Sequence, residues 1–188
     1  MLIPDFELKT LPAVPPISGL IELSDELGFG ELFASKRVSN LMEIDLARAV
    51  KLPLELRLDV VAFDYWVGNL DQTLTEHGGN PNLFWDVQEQ QLVVLDHNLD
   101  FDTEFELSDL KEVHVFREEI VAILSDIELK EHYVARFKAL LLQWGNIVET
   151  IPEAWLYSDL QMTIDAGINF EEMKIWLERL CHVDGWGL

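Results

Sequence analysis

The chain has 188 residues, 49% of them hydrophobic, which is enough to bury one core and too few to suggest two full domains. Its 35 Asp and Glu residues against 13 Lys and Arg give a net charge of -22, a surface that repels phosphate backbones and anionic headgroups. Nucleic acid and bare membrane are thereby disfavoured as partners, and a small basic partner protein is the kind that fits. Cys181 stands alone, so neither an internal disulfide nor a multi-cysteine zinc site is available. With no basic n-region before an apolar core, and no apolar run of the ~18 residues a membrane span needs, a cytoplasmic protein is expected.

Pro4 to Leu11 reads as an extended strand, and Pro12, Pro15 and Pro16 make residues 12 to 19 a connector, because proline lacks the amide donor that pairing requires. Gly28 to Ser39 shows no sustained periodicity and reads as a loop, and Leu41 to Val50 as one short helix. From Leu54 to Val67, the positions Leu58, Val61, Ala62, Tyr65 and Trp66 recur at three and four residue steps, which predicts a central helix with a buried face. Gly68 and Asn69 end it. A polar loop rich in turn formers, Gly78, Gly79, Asn80 and Pro81, leads to two short apolar runs, Leu83 to Trp85 and Leu92 to Leu95, spaced as a β-hairpin that ends on Asp96.

Beyond Asp102 the pattern is helical, with Phe116, Ile120, Ile123 and Leu124 on one face and Tyr133, Phe137, Leu140, Leu141 and Trp144 on another. A last helix is expected from Phe170 to Leu180, with Asn169 as its cap. These stripes are core packing, and Cys181 is read as a buried or half-buried thiol. The expected fold is mainly helical with a small β-hairpin.

The chemistry concentrates between Phe63 and Phe101. Phosphoryl transfer needs one carboxylate near the attacking hydroxyl, and an amide with a second carboxylate to hold magnesium against nucleotide phosphates. Asp71, Asn80 and Asp96 occur in that order, on loops and a strand end that expose oxygen atoms at the edge of a scaffold. Taken singly, Asn80 and Asn82 are turn residues beside Pro81, and Asp96 is a strand-end cap. His77 and His97 have neither the helical spacing nor a cysteine to fix a transition-metal geometry.

As an ordered set, Asn69-Leu70-Asp71, Asn80-Pro81-Asn82-Leu83 and Asp96-His97 resemble the catalytic region of HipA-like kinases, with Phe33-Ala34-Ser35, His114-Val115-Phe116 and Ile151-Pro152-Glu153-Ala154-Trp155-Leu156 as weaker matches. The resemblance implies a kinase C-lobe over residues 1–188. In that reading, 1–40 holds a hinge-like strand and connector, 41–102 the catalytic loop and metal-binding hairpin, and 103–188 a helical subdomain. It also implies ATP and Mg2+ as cofactors, Asp71 as catalytic base and Asn80 and Asp96 as magnesium ligands. Asn82, Asn69 and His97 stand as alternative or supporting ligands, His97 replacing the aromatic after the metal aspartate.

Three features depart from the family pattern. Gln72 stands where an arginine is usual, and the step from Asp71 to Asn80 is longer than the usual step of about five residues. A Gly-rich phosphate loop and a strand lysine are also missing, since Gly28-Phe29-Gly30 reads as an ordinary turn and Lys9 as a solvated surface lysine. The expectation is a truncated or split kinase, inactive alone and completed by a separate N-lobe. The alternative is a pseudokinase-like module that binds a partner protein without catalysis.

Overall fold

A computed structural model describes residues 4–11, 30–97, 100–159 and 161–187. These form seven α-helices and two small antiparallel sheets, arranged as two units. The larger unit is built from Ser39–Trp144 and the chain from Glu171 onward, the smaller from Pro4–Val38 and Gly145–Phe170.

In the larger unit, strand β3 (Leu41–Glu43) and the four-residue helix α1 (Leu46–Ala49) precede helix α2 (Leu54–Val67). The β4–β5 hairpin (Leu83–Asp86 and Gln91–Val94) follows. Helices α3 (Leu107–Val113), α4 (Arg117–Ser125) and α5 (Ile127–Leu141) come next. Helix α6 (Trp144–Glu149) leads out of the unit, and helix α7 (Phe170–Glu178) leads back into it. Among the described residues no helix is long and apolar enough to cross a membrane.

Helix α2 is buried on more than the expected face. Val60, Asp64 and Val67 are as covered as Leu58, Val61, Ala62, Tyr65 and Trp66, which is the pattern of a helix enclosed by its neighbours. Ile120 and Ile123 of α4 are fully buried in the same core, each such side chain contributing roughly 1.5–3 kcal/mol. On α5, Tyr133 and Phe137 are buried while Leu140 is 50% exposed. The Phe137 ring lies parallel to Trp66 at 4.5 Å and to Trp186 at 5.9 Å. Helices α2 and α7 are tied reciprocally: Trp66 Nε1 donates to the Leu177 carbonyl (2.9 Å) and Trp176 Nε1 to the Trp66 carbonyl (3.1 Å). Gly68 ends α2 at φ 75, and a Cβ there would lie 2.6 Å from the Trp176 ring, so only glycine fits both demands. Cys181 is buried, as expected.

In the smaller unit, β1 (Phe6–Leu11) and β2 (Gly30–Ser35) pair antiparallel with Leu8 opposite Phe33, and the exposed Phe6 and Phe33 rings stack at 5.1 Å. Lys9, 56% exposed, pairs with Glu7 and is the surface lysine expected. Its other part holds a 3-10 turn at Glu153–Leu156 and a loop closed on Asp159, which accepts from the Thr163 and Ile164 amides.

Two expectations about elements are corrected. Leu41 to Val50 is not one helix: Leu41–Glu43 pairs with Asp86–Phe84 as an edge strand, and only then does Asp45 cap the short α1 by accepting from the Arg48 amide. The loop expected through Ser39 contains strand β2, because Glu31 to Ser35 find partners on β1 that no local pattern reveals. The 12–19 connector, and Gly28 and Phe29 of the expected turn, lie outside the described residues.

Candidate active site at the end of α2

Asp64 sits on the last full turn of α2 with no exposed surface. A carboxylate so placed must be fully partnered to stay ionised. His114 Nε2 lies 3.0 Å from Oδ2, and Asn69 Nδ2 donates to Oδ1 at 3.0 Å. The Phe116 amide donates to His114 Nδ1 (3.0 Å), so that nitrogen is the acceptor and the ring proton on Nε2 faces Asp64. His97 Nε2 stands 3.4 Å from Oδ1, within ion-pair range but without hydrogen-bond geometry.

Burial works against charge on Asp64, yet the two imidazoles outweigh it and hold the carboxyl below the usual carboxylate range. Burial likewise works against charge on His97, and the Asp64 carboxylate, with Asp100 and Asp96 behind it, raises its pKa. Asp100, mostly buried, is pushed up to about 7 by that burial, against the pull of His97 and with the push of Asp64.

From this anchor the loop is built outward. The buried Asn69, one residue past Gly68, accepts the Asp71 amide at Oδ1 (3.0 Å), which fixes how Asp71 leaves the helix. Asp71 is half-buried, and its Oδ2 accepts from Asn82 Nδ2 at 3.2 Å. Asn82 is itself buried, in the left-handed conformation (φ 48), with its carbonyl accepting the Leu95 amide across the hairpin. Asp96, at the end of the β5 segment, is exposed and also left-handed, at φ 59.

The extra length between Asp71 and Asn80 is folded away locally. Thr73 and Asn80 exchange backbone contacts, the Thr73 amide donating to the Asn80 carbonyl (3.1 Å) and the Asn80 amide to Thr73 Oγ1 (3.3 Å). Within that closure Thr75 and Gly78 bond reciprocally around Glu76 and His77, a minimal turn projecting into solvent. Gly79, at φ 153, approaches so closely that a Cβ would lie 2.4 Å from the Thr73 carbonyl oxygen. Of the two asparagines, Asn82 meets Asp71, and Asn80 is exposed.

Gln72 is fully buried, with neither side-chain amide atom hydrogen-bonded. Its backbone carbonyl accepts the Val115 amide, tying the loop to the segment that carries His114. Asp64 and His114 are the site residues that reading the motifs missed. The signal for Asp64 was present, an acid inside the apolar C-terminal half of α2, between Phe63 and Tyr65; His114 lies 50 residues away, and only the fold joins them.

Among the described residues, no group of three or more His, Cys, Asp or Glu gathers as a metal site. A family profile described as HipA-like kinase matches residues 1–188, the whole chain. The chain belongs to the HipA-like kinase family. Neither a curated protein nor a solved structure matches it. In this HipA-like kinase chain, the loop that leaves α2 and the segment after β5 carry Asp71, Asn80, Asn82 and Asp96.

Proposed function

We propose that this site transfers the γ-phosphoryl group of ATP to a substrate hydroxyl, with Asp71 as the base. The supporting observation is that Asp71 is gripped at both ends, its amide by Asn69 and its carboxylate by Asn82, on a loop anchored to the buried Asp64–His114 pair. A carboxylate held this way is oriented before substrate arrives, and phosphoryl transfer depends chiefly on such positioning. Asp71 takes the hydroxyl proton as the oxygen bonds to phosphorus, and the bond to the bridging oxygen of ADP breaks.

Asp96 and either Asn80 or Asn82 would hold magnesium. Their oxygen donors fit, because Mg2+ is typically bound through one or two carboxylates, with phosphates and water completing its shell. With Asn82 Nδ2 given to Asp71, its amide oxygen is the atom left for a ligand role. Bound there, magnesium would neutralise charge on the transferred phosphate. Residues 1–188 contain no Gly-rich phosphate loop, and we expect efficient transfer only when one is supplied.

Transfer of labelled phosphate from ATP, with and without a related kinase N-lobe added as a separate chain, tests the reading. With the lobe present, Asp71→Asn should lower turnover by at least ~100-fold, with melting temperature nearly unchanged. Full turnover in that variant would assign the base elsewhere. No transfer even with a docked lobe would favour a protein-binding module instead, a reading in keeping with Gln72 standing uncharged where the family usually has an arginine.

A further inference from the structure

We propose that the cavity between α2 and α5 is a binding site for a small neutral phenol. Its volume is about 180 Å3, somewhat larger than the apolar cavity of about 150 Å3 that is known to stay dry and take up benzene. Val60, Phe63, Val94, Phe137 and Leu140 supply apolar walls. The wall at Phe137 is rigid, because that ring is stacked between Trp66 and Trp186. Binding therefore requires little reordering of side chains.

The polar groups limit the ligand further. The two carboxylates of the lining are already partnered, Asp64 by His114 and Asn69 and Asp59 by Arg136 and Tyr133, so neither stands bare to recruit a cation. Asp59 Oδ1 is already taken, accepting from Tyr133 Oη (3.0 Å) and pairing with Arg136. Oδ2 has only a 3.5 Å contact with Arg136 Nη2, which leaves it able to accept a ligand hydroxyl. Leu140 lines the cavity and is half exposed, so it is reachable from solvent. One aromatic ring with one hydroxyl satisfies volume, walls and acceptor together. The cavity shares Asp64 and His97 with the candidate active site, but the binding of a phenol does not rest on the phosphoryl-transfer reading.

The test is titration of the whole chain with p-cresol and with toluene, followed by the methyl NMR signals of Val60, Val94 and Leu140. Saturable shifts at these methyls are expected, with Val121 on the far helix α4 unmoved. Toluene should bind about 5-fold more weakly, the equivalent of one ordinary hydrogen bond. Leu140→Trp, which adds bulk to the lining, should weaken p-cresol by at least ~10-fold, while the exposed Val121→Trp should not change it. Equal binding of toluene would overturn the hydroxyl contact. Absent saturation in the unmodified chain, or shifts spread evenly over all methyls, would overturn the site whether or not Leu140→Trp folds.

Discussion

Asp100 and His97 are both coupled to the Asp64 carboxylate, and the pKa of each is raised. Asp100 has a folded pKa of about 7 against an ordinary value of 3.8, so the folded state holds a proton that the unfolded chain has released. Its penalty sets in above pH 3.8 and is complete above about 7. The His97 contribution, from a raised pKa, is full below 6.5 and fades as pH rises through the folded value. Asp64, with a lowered pKa, acts oppositely, and its contribution is lost only as pH falls through that lowered value. Stability should therefore decline from pH 5 to pH 8, measured by urea unfolding in EDTA. Asp100→Asn should remove part of the decline and gain about 1–2 kcal/mol at pH 8, a figure discounted for its partial exposure. A flat profile in the unmodified chain would show that Asp100 is not held in its protonated form.

Among the elements, those with a local cause were legible and those with a distant one were not. Helix α2 and the β4–β5 hairpin follow from apolar spacing and turn residues within a few positions. Strand β3 has no such cause: Leu41–Glu43 is extended because β4, some forty positions later, offers it an edge. The site divides the same way. Asp71, Asn80, Asn82 and Asp96 stand in readable order, but that Asn82 meets Asp71, and that Asp64 and His114 support both, depends on the fold. The turn from Thr75 to Gly78 gives an element-scale prediction. It is closed by its own bonds and largely exposed, so deleting these four residues should shorten the step from Asp71 to Asn80 to the family's usual length and change the melting temperature by less than ~4 °C. The Asp71–Asn82 contact should survive, visible as an unshifted Asn82 side-chain amide signal. A large loss of stability would mean the turn supports the loop.

For the whole molecule, a net charge of -22 means that compaction gathers carboxylates which repel one another. Raising NaCl from ~10 mM to ~0.5 M shortens the screening length to a few ångströms and should raise the melting temperature by several degrees. A fall would show that ion pairs such as Arg136–Asp59 and Arg57–Glu119 outweigh the repulsion. Chain order has a different consequence. The Trp66 carbonyl waits for the indole of Trp176, 110 residues later. On a ribosome adding about 5–20 residues per second, that interval lasts roughly 5–20 s. Throughout it, α2 has been synthesised without the helix that covers its end, and the nascent polypeptide presents tryptophan to any chaperone within reach. A message cut short before codon 170 would leave that surface permanently uncovered, making the truncated product a target for quality control rather than a stable fragment.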